Sequence, residues 1–300
     1  MATIIRPARE SDLEVADALV VASINDLTQR HGFGTIASPS PPLFQRFSLR
    51  DDPEGLWVAE DGGEIVGFAF SWTTEDFWFL AQLFVSPDRQ ADGLGGRMIA
   101  KTLEHAGARG ARYRTLITFA FNRASQGLYM RHGLRPLTPL YVMSGPREVV
   151  AGRLKESGIV AEPLDPDDAS SDWLRAIDEA SLGVSRARHH AYMLGAGGLQ
   201  GFAFRAGGER FGHAYVGADG HVGPIAAREA GQLPEALTAA LALACRTPRE
   251  RVSAFLPGSS PAALTAALDA GLRIALPMLL MGDALPRPWD RYCPRNPGIM

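Results

Sequence analysis

Cysteine is nearly absent: Cys245 and Cys293 are the only 2 in 300 residues. So few cannot build a disulfide framework or a cysteine-rich zinc site. Lysine is as scarce, with only Lys101 and Lys155, so arginine supplies nearly all of the 30 basic residues. Neither sign of charge is in surplus, since the formal net charge is -3 and the pI is near 6.2. That balance argues against a dedicated nucleic-acid or anionic-membrane surface. No apolar run approaches the ~18 residues of a membrane span, and the opening Met1–Leu13 has no apolar core of a secretory signal. The expected compartment is the cytoplasm. What is present, 46% hydrophobic and 21% charged residues, describes an ordinary globular chain. Its length suits two domains of roughly 150 residues each.

The first half alternates strand-like and helix-like segments. Thr3–Arg6 is β-prone, and Ser11–Asp12 offers an N-cap for a helix over Glu10–Leu19. Ser38–Leu43 is rich in proline and serine and reads as loop. Leu56–Glu60 and Ile65–Trp72, joined by Asp61–Gly62–Gly63, read as a β-hairpin. Phe77–Val85 is a further strand, and Leu94–Ala106 carries apolar residues at helical spacing. Thr115–Phe121 reads as a buried strand, Ala124–Arg131 as a helix stopped by Gly133, and Leu140–Met143 as a last strand.

The second half echoes the first. Gly67–Phe68–Ala69–Phe70 recurs as Gly201–Phe202–Ala203–Phe204, and Val85-x-Pro87 as Val222-x-Pro224. Gly133–Leu134 recurs as Gly271–Leu272, and Met143 is matched by Met281. These ordered landmarks predict two copies of one α/β unit, each a mostly antiparallel mixed sheet flanked by helices. The expected boundaries are a first domain over 1–148, a linker over 149–168, a second domain over 169–285 and a Pro-rich tail over 286–300.

The most informative segment joins the Leu83–Val85 strand end to the helix at Leu94. It runs through Pro87, Gln90, Ala91, Asp92, Gly93, Gly95 and Gly96. Glycines let the backbone approach a ligand, and a helix N-terminus presents unpaired N–H groups with partial positive charge. Together they make a site for a phosphate-bearing anion. A Walker loop is excluded, because no Lys-Ser or Lys-Thr follows these glycines. A dinucleotide fingerprint is excluded too, because Met98 stands where glycine or alanine would be needed.

Gln90-x-x-Gly93-x-Gly95, with Asn122, Ala124, Tyr129 and Gly133 downstream, resembles the GCN5-related N-acetyltransferases, the GNAT family. Arg6–Pro7–Ala8 and Trp57–Val58–Ala59–Glu60 are also similar to that family, and the resemblance spans most of 1–146. It implies acetyl-CoA as co-substrate, no metal, and transfer of an acetyl group to an amine, for which the chain's mild acidity favours a cationic small molecule. It implies that Gln90, Ala91, Asp92, Gly93, Leu94, Gly95 and Gly96 hold the pyrophosphate. Main chain near Leu83 and Val85, with Asn122, would then hold pantetheine, in a slot between two splayed strands. Tyr129 is the implied general acid, although a phenol near ~10 facing a thiol near ~8.5 suits a strengthening hydrogen bond better than outright donation. The alternative for Tyr129 is plain helix packing.

No general base is legible. Glu75, Asp76 and Gln82 flank or occupy the strand before the loop, and the first two read equally well as turn residues. His31 and His132 are isolated and read as surface or core-edge residues. In the second copy Ala227, Ala230 and Gln232 fall opposite Gln90, Gly93 and Gly95, while Ser260 and Ala267 fall opposite Asn122 and Tyr129. That copy is expected to be degenerate and structural. Arg186, Arg188, His189 and His190 read as a solvated helix face, because neighbouring histidines point apart on a helix. No nucleic-acid or membrane partner is expected, and the chain is a monomer or homodimer. The rival readings are a non-catalytic acyl-CoA-binding regulator and a purely structural pair of domains.

Overall fold

The structure is a computed structural model, and it describes residues 3–90, 93–155 and 157–300. The chain forms two compact units, Met1–Arg135 with Met281–Ala284 and Pro136–Leu280 with Leu285–Met300. Both are mixed α/β.

In the first unit β1 (Ile4–Pro7) leads through a short turn into α1 (Leu13–Arg30). Arg6 fixes that entry by pairing with Asp12 at 2.7 Å and Glu60 at 2.9 Å. The helix extends well beyond the expected Leu19. Its last turns are held by Asn25, whose amide accepts from Ile36 and Ala37 N–H and donates to the Ala37 carbonyl. α2 (Leu43–Asp51) follows, a helix whose pattern the preceding prolines obscured. β2 (Leu56–Asp61) and β3 (Glu64–Thr74) form the expected hairpin, with Gly62 and Gly63 both at positive φ (61° and 92°) as a tight hairpin turn requires. β4 (Phe77–Val85), α3 (Leu94–Ala108), β5 (Tyr113–Phe119) and α4 (Arg123–Arg131) complete the unit. The sheet order is β1-β2-β3-β4-β5. β1 to β4 pair antiparallel, and β4 and β5 pair parallel. α3 lies close against β3, because a Cβ at Gly67 would come within 2.7 Å of the Met98 sulfur.

One irregularity positions the site. Phe70 pairs with Gln82 but Ser71 pairs with Leu80, so Ala81 is an extra residue in β4. Such a bulge bends its strand and increases the local twist. The parallel pairing of β4 with β5 stops at the same place, at Leu80 and Leu116, while both strands run on.

The second unit contains β6 (Arg135–Pro146, save its first residue), α5 (Arg147–Arg153), β7 (Val160–Pro163), α6 (Asp172–Ser181) and α7 (Ala187–Leu194). It continues with β8 (Gln200–Ala206), β9 (Glu209–Val216), β10 (His221–Ala227), α8 (Leu233–Ala244) and β11 (Arg251–Pro257). It closes with α9 (Pro261–Asp269), β12 (Arg273–Gly282, save its last two residues) and the short β13 (Tyr292–Cys293). Its strand order is β12-β6-β11-β10-β9-β8-β7. The last strand of the first sequence half, β6, thus belongs to the second unit, where Leu140–Pro146 pairs antiparallel with β11.

The order of elements from β1 to β6 recurs from β7 to β12, but not through every expected landmark. Gly67–Phe70 lies on β3, the second strand of its hairpin, whereas Gly201–Phe204 lies on β8, the first strand of the other. Pro87 follows the end of β4, whereas Pro224 lies inside β10. Hydrophobic alternation with small residues suits either strand of a hairpin, so these matches carry no register. Helix starts do carry it: Gln232 stands opposite Gly93 and Ser260 opposite Asn122, each immediately before its helix.

A second correction concerns Arg186, His189 and His190, which are buried rather than solvated. Arg186 forks onto the Asp178 carboxylate (Nη2 to Oδ1 2.6 Å, Nε to Oδ2 3.2 Å). His190 Nε2 lies 2.8 Å and His213 Nε2 3.3 Å from the same carboxylate, and His190 Nδ1 lies 2.6 Å from the Tyr215 hydroxyl. Burial alone would raise Asp178, but Arg186 and His190 hold it well below the carboxylate range. Burial lowers His189 to about 3 and His213 and His221 to about 4, and lowers His190 as well. Among the described residues no helix is long and apolar enough to cross a membrane.

A histidine held neutral in the fold but titrating near ~6.5 when unfolded binds its proton only in the unfolded state between those two values. Stability is therefore complete above about pH 6.5 and falls as pH drops towards 4, by up to ~1.4 kcal/mol per pH unit for each histidine. Lowering the pH from about 7.5 to about 5 should reduce the melting temperature by roughly 10 °C. A flat profile in scanning calorimetry would show that these imidazoles do not resist protonation.

Candidate active site

Where β4 leaves β5, a cavity of about 760 Å³ opens in the first unit. Leu83 and Val85 line it from β4, and Gln90 lines it from the loop. Gly93, Leu94, Gly95 and Gly96 line it from the start of α3, and Asn122 from the start of α4. Ala91 and Asp92 lie outside the described residues. The structure thus gathers at one cavity every other loop and pantetheine candidate named from the sequence.

Each wall has a local reason. Gly93 is at φ 72° as the residue capping α3, a left-handed conformation that glycine adopts without strain. The first helical bond runs from Arg97 N–H to the Gly93 carbonyl, so the Leu94, Gly95 and Gly96 N–H groups precede it. The first turn of α3 carries no acidic residue. Gly95 and Gly96 lie against Leu128 of α4, and a Cβ on Gly95 would sit 3.4 Å from it. The Gln90 side-chain amide donates to the Val85 carbonyl at 3.2 Å, tying the loop back to the strand end.

Asn122 caps α4. Its Oδ1 accepts from Ser125 N–H at 3.1 Å and its Nδ2 donates to Ser125 Oγ at 2.8 Å. Tyr129, one turn further on, is buried and does not line the cavity. Burial pushes its phenol above the ordinary range, opposed by a hydrogen bond with the Ser125 hydroxyl. Ser125 does line the cavity, so it stands between Tyr129 and the open space. No motif marks this serine; only its place one turn before Tyr129 could have suggested it.

The remaining wall comes from the end of α1. Arg30 and His31 line the cavity with Phe121, and His31 and Phe33 pack on the Phe121 ring at 4.8 and 4.7 Å between centroids. His31 Nδ1 lies 2.9 Å from the Leu27 carbonyl, an acceptor only, so Nδ1 carries the proton. The charged lining is cationic: Arg30, Arg89, Arg123 and Arg131, with no carboxylate among the described lining residues. Arg30 pairs with Asp26 and Arg89 with Asp61, whereas Arg123 and Arg131 have no ion pair among the described residues. Glu75 and Asp76 form the turn at the other end of β4, and Gln82 accepts from the Gln45 amide at 3.3 Å.

In the second unit the corresponding place is filled. β10 and β11 pair in parallel only at His221–Ser253 and Val222–Ala254. β13 then pairs with β10, Cys293 opposite Ile225 and Tyr292 opposite Ala226, and it also contacts β11. Trp289, Tyr292 and Cys293 are buried there.

Residues 21–134 match the Acetyltransferase (GNAT) family. The uncharacterized N-acetyltransferase YhfO of Bacillus subtilis is 31% identical over 96 residues, covering 30% of this chain and 64% of that one. Mycothiol acetyltransferase of Streptomyces bingchenggensis is 38% identical over 86 residues, 27% of either chain. The chain therefore spans less than two thirds of the length of these curated relatives. A Pyrococcus horikoshii protein assigned as an acetyltransferase shares the fold at a TM-score of 0.76 and 19% identity, over 99% of this chain and 96% of that one. A tandem GNAT protein from the clavulanic acid biosynthesis pathway shares it at 0.59 and 15% identity, over 96% and 99%. The parted strands, the glycine loop and the capped helix all fall inside the stretch that matches the acetyltransferase (GNAT) family, and the chain shares its fold with these solved acetyltransferases.

Proposed function

We propose that the first unit is an acetyl-CoA-dependent N-acetyltransferase acting on a small-molecule amine, and that the second unit is non-catalytic. The single observation that carries this reading is the cationic cavity at the parting of β4 and β5, floored by the N-terminus of α3. Free backbone N–H groups, a helix dipole and arginines without a facing carboxylate suit a ligand bearing several phosphates. Gly93–Gly96 and Gln90 would hold the pyrophosphate, and Leu83, Val85 and Asn122 the pantetheine chain. Bound there, acetyl-CoA supplies an activated acyl group with a good leaving thiol. Ser125, backed by Tyr129 and Asn122, offers a hydrogen bond at the cavity wall for the sulfur as it gains charge. Tyr129 thus acts through Ser125, with its raised phenol favouring donation of a hydrogen bond over loss of a proton. The relative named for mycothiol supports a small acceptor.

A second reading, an acyl-CoA-binding regulator without turnover, draws on the lack of a carboxylate among the described lining residues. Calorimetry and turnover separate the two. Acetyl-CoA should bind at one site per chain, and Gly95→Val, which drives bulk into Leu128, should weaken it at least tenfold, about 1.4 kcal/mol. Absence of binding would end both readings. Coenzyme A release should then accelerate with at least one amine among spermidine, glucosamine, S-methylcysteine amide and a tripeptide. Tight binding without any acceleration would favour the regulator.

For the amine that reacts best, Tyr129→Phe and Ser125→Ala should each lower kcat by roughly tenfold to a hundredfold and leave the acetyl-CoA Kd within about twofold. The double variant should lose little more than either single one, since the two hydroxyls act as a unit. Additive losses would separate them.

A further inference from the structure

The proposed transfer needs a group to take a proton from the amine, and motif reading supplies none. The cavity wall does. Among its described lining residues the charged side chains are Arg30, Arg89, Arg123 and Arg131, none of which can accept a proton. His31 is the one remaining described lining side chain with a ring nitrogen that can accept a proton. The nearby carboxylates are occupied: Asp26 by Arg30 and Asp61 by Arg89.

His31 is also held in a form that can act. Its Nδ1–H donates to the Leu27 carbonyl at 2.9 Å at the end of α1, so the neutral ring carries its lone pair on Nε2. The imidazole rests on Phe121, 4.8 Å between centroids at an interplanar angle of 32°. Phe33 and Phe119 stack on the same ring at 4.7 and 5.2 Å. Phe121 directly precedes Asn122, so this aromatic group ties the end of α1 to the start of α4, across the cavity.

We propose that His31 is the general base of the first unit, a role that rests on the acetyltransferase reading. As the amine nitrogen bonds to the acyl carbon, His31 Nε2 takes the proton that nitrogen gives up. The carbon–sulfur bond breaks with its electron pair on sulfur; the Ser125 hydroxyl hydrogen-bonds that thiolate, and the proton taken by His31 is passed to it through solvent. Atoms and charge balance without a further reactant.

The closing experiment uses the full chain and the amine that the wild type acetylates fastest. His31→Asn preserves a donor for the end of α1 and removes the base. It should lower kcat/KM at least thirtyfold at neutral pH, within the range typical of acid–base catalysis. It should also change the pH profile of kcat/KM relative to the wild type, while the acetyl-CoA Kd stays within about twofold. His31→Ala should behave the same way, and added imidazole should restore part of its rate. Unchanged kcat/KM with an unchanged pH profile in active protein would overturn the role of His31 and leave the acetyltransferase reading intact. A wild type that binds acetyl-CoA but turns over no amine would overturn both.

Discussion

A parallel strand pair that stops halfway along leaves backbone donors and acceptors facing a gap inside the protein. Each such group left without a partner costs about 1–3 kcal/mol, so the gap has to be filled by something that hydrogen-bonds. Both units face this constraint, between β4 and β5 in one and between β10 and β11 in the other. The second unit resolves it with its own chain: β13 pairs with β10, and Ala227 N–H reaches the Arg291 carbonyl at 2.9 Å. The first unit leaves a cavity, with the Gln90 amide returning to the strand end at Val85 and the Gln126 amide to Phe119 and Ala120. A ligand with amides along its length suits the open gap, as a peptide strand suits the closed one.

Local rules were legible where one short segment decides its own conformation. The glycine pair at Gly62–Gly63 fixed the first hairpin, and the apolar run over Phe77–Val85 coincides with β4. The loop glycines and Asn122 were picked out by motif, and the structure brings them to one cavity. What failed was non-local. Whether Gly67–Phe70 and Gly201–Phe204 are equivalent depends on hairpin order, to which a period-2 pattern is blind. His190 looked solvated because its partners, Asp178 on α6 with His213 and Tyr215 on β9, are distant in sequence. Tyr129 was found by motif, but that it meets the cavity through Ser125 depends on side-chain packing at the start of α4. His31 could not be distinguished because its tautomer and its Phe121 platform are tertiary facts.

The filled gap and the buried charges of the second unit are one structure. Arg186 Nη1 donates to the Tyr292 hydroxyl at 2.8 Å, and the guanidinium lies 4.9 Å from that ring centroid. Tyr292 is half of β13, so the cluster around Asp178 holds the strand that closes the gap. Replacing a buried ion pair with apolar residues is often neutral, but removing one partner strands the other at a cost of several kcal/mol. Here a stranded Arg186 would also release the tail. The second unit has therefore exchanged a ligand slot for an internal strand locked by charge, and no phosphate loop faces that strand, because Gln232 and Pro234 stand where Gly93 and Gly95 do. Closing the gap this way removes the space a pantetheine chain would need. The proposed chemistry therefore belongs with the unit whose strands part around an open cavity.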